Sequence, residues 1–211
     1  MSTPENTRVY MIYTTEDITE VQAADSRIVP LRLIPQTAYG TSEAFRRITE
    51  ADIPVHIQYV GFATPAFTQK TGRPLTDIQH PGDATTVVAF QKGHESWRRF
   101  SYIKIATEVY PQFAPLWAWL LREMRLNPFA MQYGGGHIYD NYWIADRDTA
   151  LKFAAFARRA MDTLDRAPPA IQMLLYTPIQ SASGKPSVTY HTILLEYCIM
   201  FYCDIRKLCV V

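Results

Sequence analysis

The sequence predicts an α+β protein with one main mixed β-sheet packed against two long amphipathic helices. Two observations carry that expectation. Short β-rich runs crowd residues 8–90, whereas residues 111–126 and 146–164 place apolar side chains at three- and four-residue spacing, with strand-like runs after each. A third observation bounds it: 211 residues with 48% hydrophobic and 13% aromatic content suffice for a packed core and a single domain over 1–211.

Residues 8–14 contain the unbroken run Val9-Tyr10-Met11-Ile12-Tyr13, β-branched, aromatic or apolar throughout, and predict a strand. Thr14 or Thr15 can cap a short helix to Ala24, with Glu16 and Asp17 near its positive end. Residues 28–34 predict a second strand, which Pro30, lacking an amide donor, demotes towards an edge. A short helix is expected over 42–49, where Phe45 and Ile48 sit three apart, and a strand over 54–62 from the alternation Val55, Ile57, Tyr59. Residues 64–83 carry Pro65, Gly72, Pro74, Pro81 and Gly82 and read as one long loop, a candidate lid or partner surface. A strand over 85–90 follows, with a turn at Lys92-Gly93.

The cleanest helical signal spans 111–126, where Phe113, Leu116, Trp117, Leu120, Leu121 and Met124 form one stripe and Asn127-Pro128 stops the helix. Asp146 is placed to cap the next helix, to about Leu164, with Ala150, Phe153, Ala154, Ala157, Ala160, Met161 and Leu164 on its buried side. Ala167-Pro168-Pro169 ends it. Residues 171–176 then read as an apolar strand, 181–186 as a polar turn, and 188–202 as a β-rich run forming a central strand or two joined by a bend.

With 21 Lys+Arg against 20 Asp+Glu, no global field directs the chain to nucleic acid or to a membrane surface. Residues 1–8 have no apolar signal core, and no run is long enough to span a bilayer, so a soluble, cytoplasmic protein without a membrane partner is expected. Cys198, Cys203 and Cys209 lack metal-type spacing and read as reduced thiols. The five histidines show no ligand pairing, and no H-E-x-x-H, C-x-x-C, nucleophile elbow or P-loop occurs. No metal is therefore expected, and the commonest hydrolase and nucleotide triphosphatase readings fall away.

Two stretches carry candidate chemistry. Gly134-Gly135-Gly136 precede His137-Ile138-Tyr139-Asp140-Asn141-Tyr142-Trp143. Glycines let another group come close. On an extended segment His137, Tyr139 and Asn141 share a face, where an imidazole, a phenol and a carboxamide suit sugar hydroxyls and a base edge. A glycine C-cap followed by an aromatic core strand, with Tyr139 and Trp143 buried, explains the same residues. The second stretch is His94-Glu95-Ser96-Trp97-Arg98-Arg99-Phe100-Ser101-Tyr102, in which the forked guanidiniums of Arg98 and Arg99 suit a phosphate; a solvated basic turn is the plain alternative.

Trp117-Ala118-Trp119-Leu120-Leu121-Arg122-Glu123-Met124, then Leu126-Asn127-Pro128, Gly136-His137-Ile138-Tyr139-Asp140-Asn141 and Arg166-Ala167-Pro168-Pro169, resemble the C-terminal half of thymidylate synthase and the related pyrimidine nucleotide hydroxymethylases. The resemblance covers roughly residues 113–171. It implies a thymidylate-synthase-like fold that binds a pyrimidine deoxynucleotide, free or as a DNA base. His137 and Tyr139 would hold the deoxyribose 3′-hydroxyl, Asn141 would match the family's following Asn, and Arg98 or Arg99 would meet the phosphate. It also implies transfer of a one-carbon or larger group to the base, a folate cofactor if the family chemistry is retained, and a homodimer formed through the sheet, for which 188–202 is the available run. The chain departs from the family in having no cysteine before Cys198, Gly135 in place of the family's Asp, and Tyr142 in place of its final His. Either a different group does the chemistry, or the nucleotide is bound without the cysteine adduct; whether the chain is an enzyme stays open. The reading from another class is an interaction protein that docks a partner through residues 64–83 and an aromatic surface.

Overall fold

A computed structural model of the chain describes residues 6–13, 26–33, 39–74, 81, 83–89, 102–127, 142–179 and 188–210. Among these, strands β1 (Thr7–Tyr13), β2 (Ile28–Arg32), β3 (Tyr59–Ala63), β4 (Thr86–Ala89), β5 (Trp143–Asp146) and β6 (Cys209–Val210) form one mixed sheet in the order β2-β1-β3-β5-β4-β6. β1 pairs in parallel with both β2 and β3, β4 in parallel with β6, and β5 runs antiparallel to both β3 and β4. The α+β class and the single mixed sheet thus match the expectation. β2 lies at the edge, as Pro30 requires: its missing amide is tolerated where no further strand needs it.

Strand alternation divides the sheet into two faces. Tyr10, Ile12, Val60, Phe62, Val87, Trp143 and Ala145 join the larger core, whereas Val9, Met11, Ile28, Ala63, Tyr142 and Ile144 form a smaller one with Phe67 on the other side. The larger core is covered by helices: α1 (Ala44–Arg47, preceded by a 3₁₀ turn Gly40–Glu43), α4 (Phe113–Glu123), α5 (Arg147–Asp165) and α7 (Tyr190–Arg206). Its centre is a ring cluster in which Phe45 meets Phe62, Trp143 and Phe153 at centroid distances of 5.0, 6.3 and 4.9 Å.

The two helices read from periodicity are present. In α4, Phe113, Leu116, Trp117, Leu120 and Leu121 are buried. It ends at Glu123, ahead of Asn127-Pro128, because Arg125 turns left-handed (φ 54°) and the Leu126 amide donates back to the Leu121 carbonyl at 2.8 Å. In α5, Ala150, Phe153, Ala154, Ala157, Ala160, Met161 and Leu164 are all buried. Its cap is Asp146, whose carboxylate accepts from the amides of Asp148 and Thr149 at 3.0 and 3.1 Å. Arginines on α5 then satisfy carbonyls that other elements leave open: Arg158 donates to Phe45 and Ile48 (3.1 and 2.6 Å), Arg159 to Met124, and Arg147 to Ile53 at 3.0 Å.

Four expectations are corrected. Residues 171–176 are not a strand but most of α6 (Pro169–Leu175), because Pro169 sits at the first helical turn, where its fixed φ and missing amide favour a helix. Residues 188–202 are not a central strand: they supply most of α7, in which thirteen of seventeen residues are buried. A run that is apolar on every side reads as β from its composition, yet a helix buried all round carries the same pattern. That burial also removes 188–202 as a dimer surface, so a homodimer would have to use another one. The strand expected over 54–62 begins only at Tyr59, after a 3₁₀ turn Glu50–Asp52, and Val55 is 89% exposed. The expected loop over 64–83 contains a short helix, α2 (Phe67–Thr71), closed by Gly72 at φ 71°. α3 (Tyr102–Val109) completes the elements among the described residues. The helix expected to Ala24, the Lys92-Gly93 turn and the polar turn over 181–186 lie outside the described residues. No helix among the described residues is long and apolar enough to cross a membrane.

Candidate ligand-binding edge of the sheet

The strand directions bring the carboxyl ends of β1, β2, β3 and β4 and the amino end of β5 to one edge of the sheet. From β1 the chain passes to β2 on one side, and from β3 it passes towards β4 on the other. Connections that diverge from adjacent parallel strands leave a crevice outside their carboxyl ends, the usual ligand position in open sheets of this kind.

The floor of that edge is dry. Val9, Met11, Ala63 and Ile144 are at most 1% exposed. At the rim, Tyr13 and Thr64 are half-buried, and the Thr64 hydroxyl is hydrogen-bonded to the Tyr142 hydroxyl at 2.6 Å, joining the end of β3 to the start of β5. The Phe67 ring meets Tyr142 at 5.5 Å and 74°, so α2 closes over the same corner. Tyr13, Ala63, Thr64, Tyr142 and Ala89 carry no charge. Hydroxyls and ring faces there can orient a polar ligand, and a cation, Arg32, ends β2 beside Tyr13.

The segments that carry the sequence-predicted residues start from this edge. Ala89 is the register partner of Trp143. Arg98 and Arg99 follow β4 in the chain, and His137, Tyr139 and Asn141 immediately precede β5, so the two segments are rooted side by side. Those five residues, and the glycines at 134–136, lie outside the described residues. Trp143 is fully buried in the larger core.

A second polar cluster escaped the sequence reading. The Tyr39 hydroxyl donates to the Asp165 carboxylate and lies 3.2 Å from the Met161 carbonyl; Arg46 pairs with the same carboxylate and stacks 4.8 Å from the Tyr39 ring centre. His191 packs edge-on against Tyr39 at 5.3 Å and against Tyr176 at 4.6 Å. Burial pushes the Tyr39 phenol far up and the Glu43 carboxyl up, and pushes the His191 imidazole down. No motif signals this group, since its members come from four separate stretches of chain.

The three cysteines are free. Burial pushes the Cys203 thiol up to about 12 and the Cys198 thiol well above its ordinary value. Cys209 is exposed and pairs with Thr86, at the end of β4 opposite the candidate edge. Among the described residues no group of three or more His, Cys, Asp or Glu is arranged to hold a metal ion. A shallow recess of about 300 Å³ lies elsewhere, between the last turns of α4 and α5, lined by Trp119, Glu123, Thr163, Arg166 and Pro168. Comparison with protein-family models, with curated proteins and with solved structures finds no match in any of the three.

Proposed function

We propose that the carboxyl edge of the sheet binds a pyrimidine deoxynucleotide, free or as a base within DNA. In this reading Arg98 and Arg99 meet the phosphate, while His137, Tyr139 and Asn141 meet the sugar and the base edge. The observation that carries it is the pairing of Ala89 with Trp143 beside the diverging β1 and β3. It roots both candidate segments at the edge where such sheets take ligands. From β1 to β4 the edge spans three strand spacings, about 14 Å, which is room for a nucleotide laid along it.

The resemblance over 113–171 is what selects a pyrimidine deoxynucleotide from among phosphate-bearing ligands. The same resemblance adds a thymidylate-synthase-like sheet and, as a reaction, group transfer to the base with a folate. The cysteines weigh against the thiolate route: two are buried in α7 with their thiols held protonated, and the third is at the far end of β4. Binding, or transfer through another nucleophile, is the form of the proposal that fits them.

Titration calorimetry with deoxyuridine, deoxycytidine and thymidine monophosphates and with a short single-stranded DNA tests it. At least one should bind. Arg98→Ala with Arg99→Ala, and separately His137→Ala, should weaken that binding about 10–100-fold while the protein stays folded, the scale expected for lost hydrogen bonds to charged groups. A folded protein that binds none of the four removes the reading.

A further inference from the structure

We propose that the junction of α6 and α7 is a proton-operated latch, in which a proton taken up by His191 frees Tyr176 and the end of α6 from the start of α7. His191 is the second residue of α7 and is 1% exposed. Its imidazole lies against the Leu175 main chain at the end of α6, and Nδ1 is buried with no hydrogen-bond partner among the described residues. Nε2 is the nitrogen left to meet Leu175, and in the neutral ring Nδ1 stays unpartnered.

A second ring proton would sit on Nδ1, which faces no acceptor. It would also add positive charge to the end of a helix whose aligned peptide dipoles already present positive charge there. The titratable and charged groups around the ring do not offset this. Tyr39, from the segment before the 3₁₀ turn, and Tyr176, after α6, present ring contacts. Asp165, at the end of α5, favours the charged imidazole, but its carboxylate oxygens are already taken by the Tyr39 hydroxyl and Arg46. Glu43 is within 3.9 Å of Arg46 on the far side of that pair. Burial outweighs Asp165 and disfavours the imidazolium. Water must reach Nδ1 for the proton to be held, and the movable cover is Tyr176, itself 58% exposed. Acid thus lifts Tyr176 and opens the Tyr39–Asp165 network to solvent.

Hydrogen–deuterium exchange of the full chain from pH 7.5 to 5, corrected for the intrinsic pH dependence of exchange, reads this opening on peptides covering α6 and the first turns of α7. The opening constant there should rise as the pH falls below about 6.5, by up to about tenfold per pH unit for one proton, while the middle of α5 stays unchanged. In His191→Gln, which can keep a donor towards Leu175 and does not titrate, the rise should vanish. A pH-independent opening in the unaltered chain, or the same rise in His191→Gln, overturns the proposal. If His191→Gln does not fold, the histidine ring resonances of the unaltered chain decide: titration of His191 in step with the exchange supports the latch, and opening without that titration overturns it.

Discussion

The two longest helices, α5 and α7, are built on opposite plans. α5 is one-sided: its seven buried residues face the larger core, Asp146 caps its start, and its arginines close the ends of neighbouring elements. α7 has thirteen buried residues, no side-chain cap at Thr189, and buried residues on every side, among them Tyr197, Phe201 and Tyr202. α5 is shaped by the contrast between core and water, which writes a period into the sequence. α7 meets almost no water, so nothing requires polar residues at regular positions, and its order comes from packing alone.

The largest expected effect follows from that difference. Phe201 is fully buried, with Trp117 edge-on at 5.5 Å and Phe156 at 6.3 Å. Phe201→Ala should destabilise the protein by about 3–5 kcal/mol, the range for an aromatic removed from a core that cannot collapse around the hole. Asp162→Ala, on the exposed side of α5, should stay within about 0.5 kcal/mol. Equilibrium urea denaturation of both variants measures the contrast, and near-equal values would mean that α7 is not central. Thiol labelling sharpens the point: in the folded protein Cys209 should react and Cys198 and Cys203 should not, whereas all three should react in denaturant.

The same contrast accounts for what the sequence made legible. Helices α4 and α5 are visible because each turns between core and solvent, whereas β1, β2 and β4 show as short β-rich runs, β1 being apolar on both faces. The 171–176 and 188–202 segments misled for different reasons. In 171–176 Pro169 starts a helix in which only Leu175 is buried, whereas in 188–202 the Ile, Thr and Tyr that fit a pleated surface are folded as a helix by packing on all sides. β6, two residues long, has no sequence period to show. Of the candidate site, the place of Arg98 and Arg99 just past the 85–90 strand was readable, whereas His137, Tyr139 and Asn141 were legible only as an extended segment running into Trp143. The adjacency of the two segments was not legible, because the pairing of Ala89 with Trp143 joins residues far apart in the chain. The Tyr39–Asp165–His191 cluster was illegible for the same reason.

A middle-sized effect comes from the amino end of α7. The folded pKa of His191 is depressed by burial below its ordinary value of 6.5. The unfolded chain therefore takes up the proton first. This group's contribution to stability is intact above about pH 6.5 and is lost as the pH falls from there towards the folded pKa. The slope is at most about 1.4 kcal/mol per pH unit for one proton. Glu43, raised by burial, acts in the opposite sense at lower pH, because its protonated form is favoured in the folded state. Urea midpoints between pH 7.5 and 5 should therefore decline in the unaltered chain and flatten in His191→Gln; parallel curves would assign the acid sensitivity to other groups.

The smallest effect lies at the corresponding end of α5. Its first amides are satisfied by the Asp146 carboxylate, which also places a negative charge at the helix start. Asp146→Ala removes both and should destabilise the protein by about 1 kcal/mol, whereas Asp146→Asn keeps an acceptor and should lose only a few tenths. Asp146 is also the last residue of β5, paired with Tyr59, so the cap fixes the direction in which the helix leaves the sheet. If thermal denaturation places Asn with Ala rather than with Asp, charge rather than hydrogen bonding anchors α5. The two helix starts would then differ in electrostatics, a buried neutral imidazole against a half-buried carboxylate, more than in whether their amides are capped.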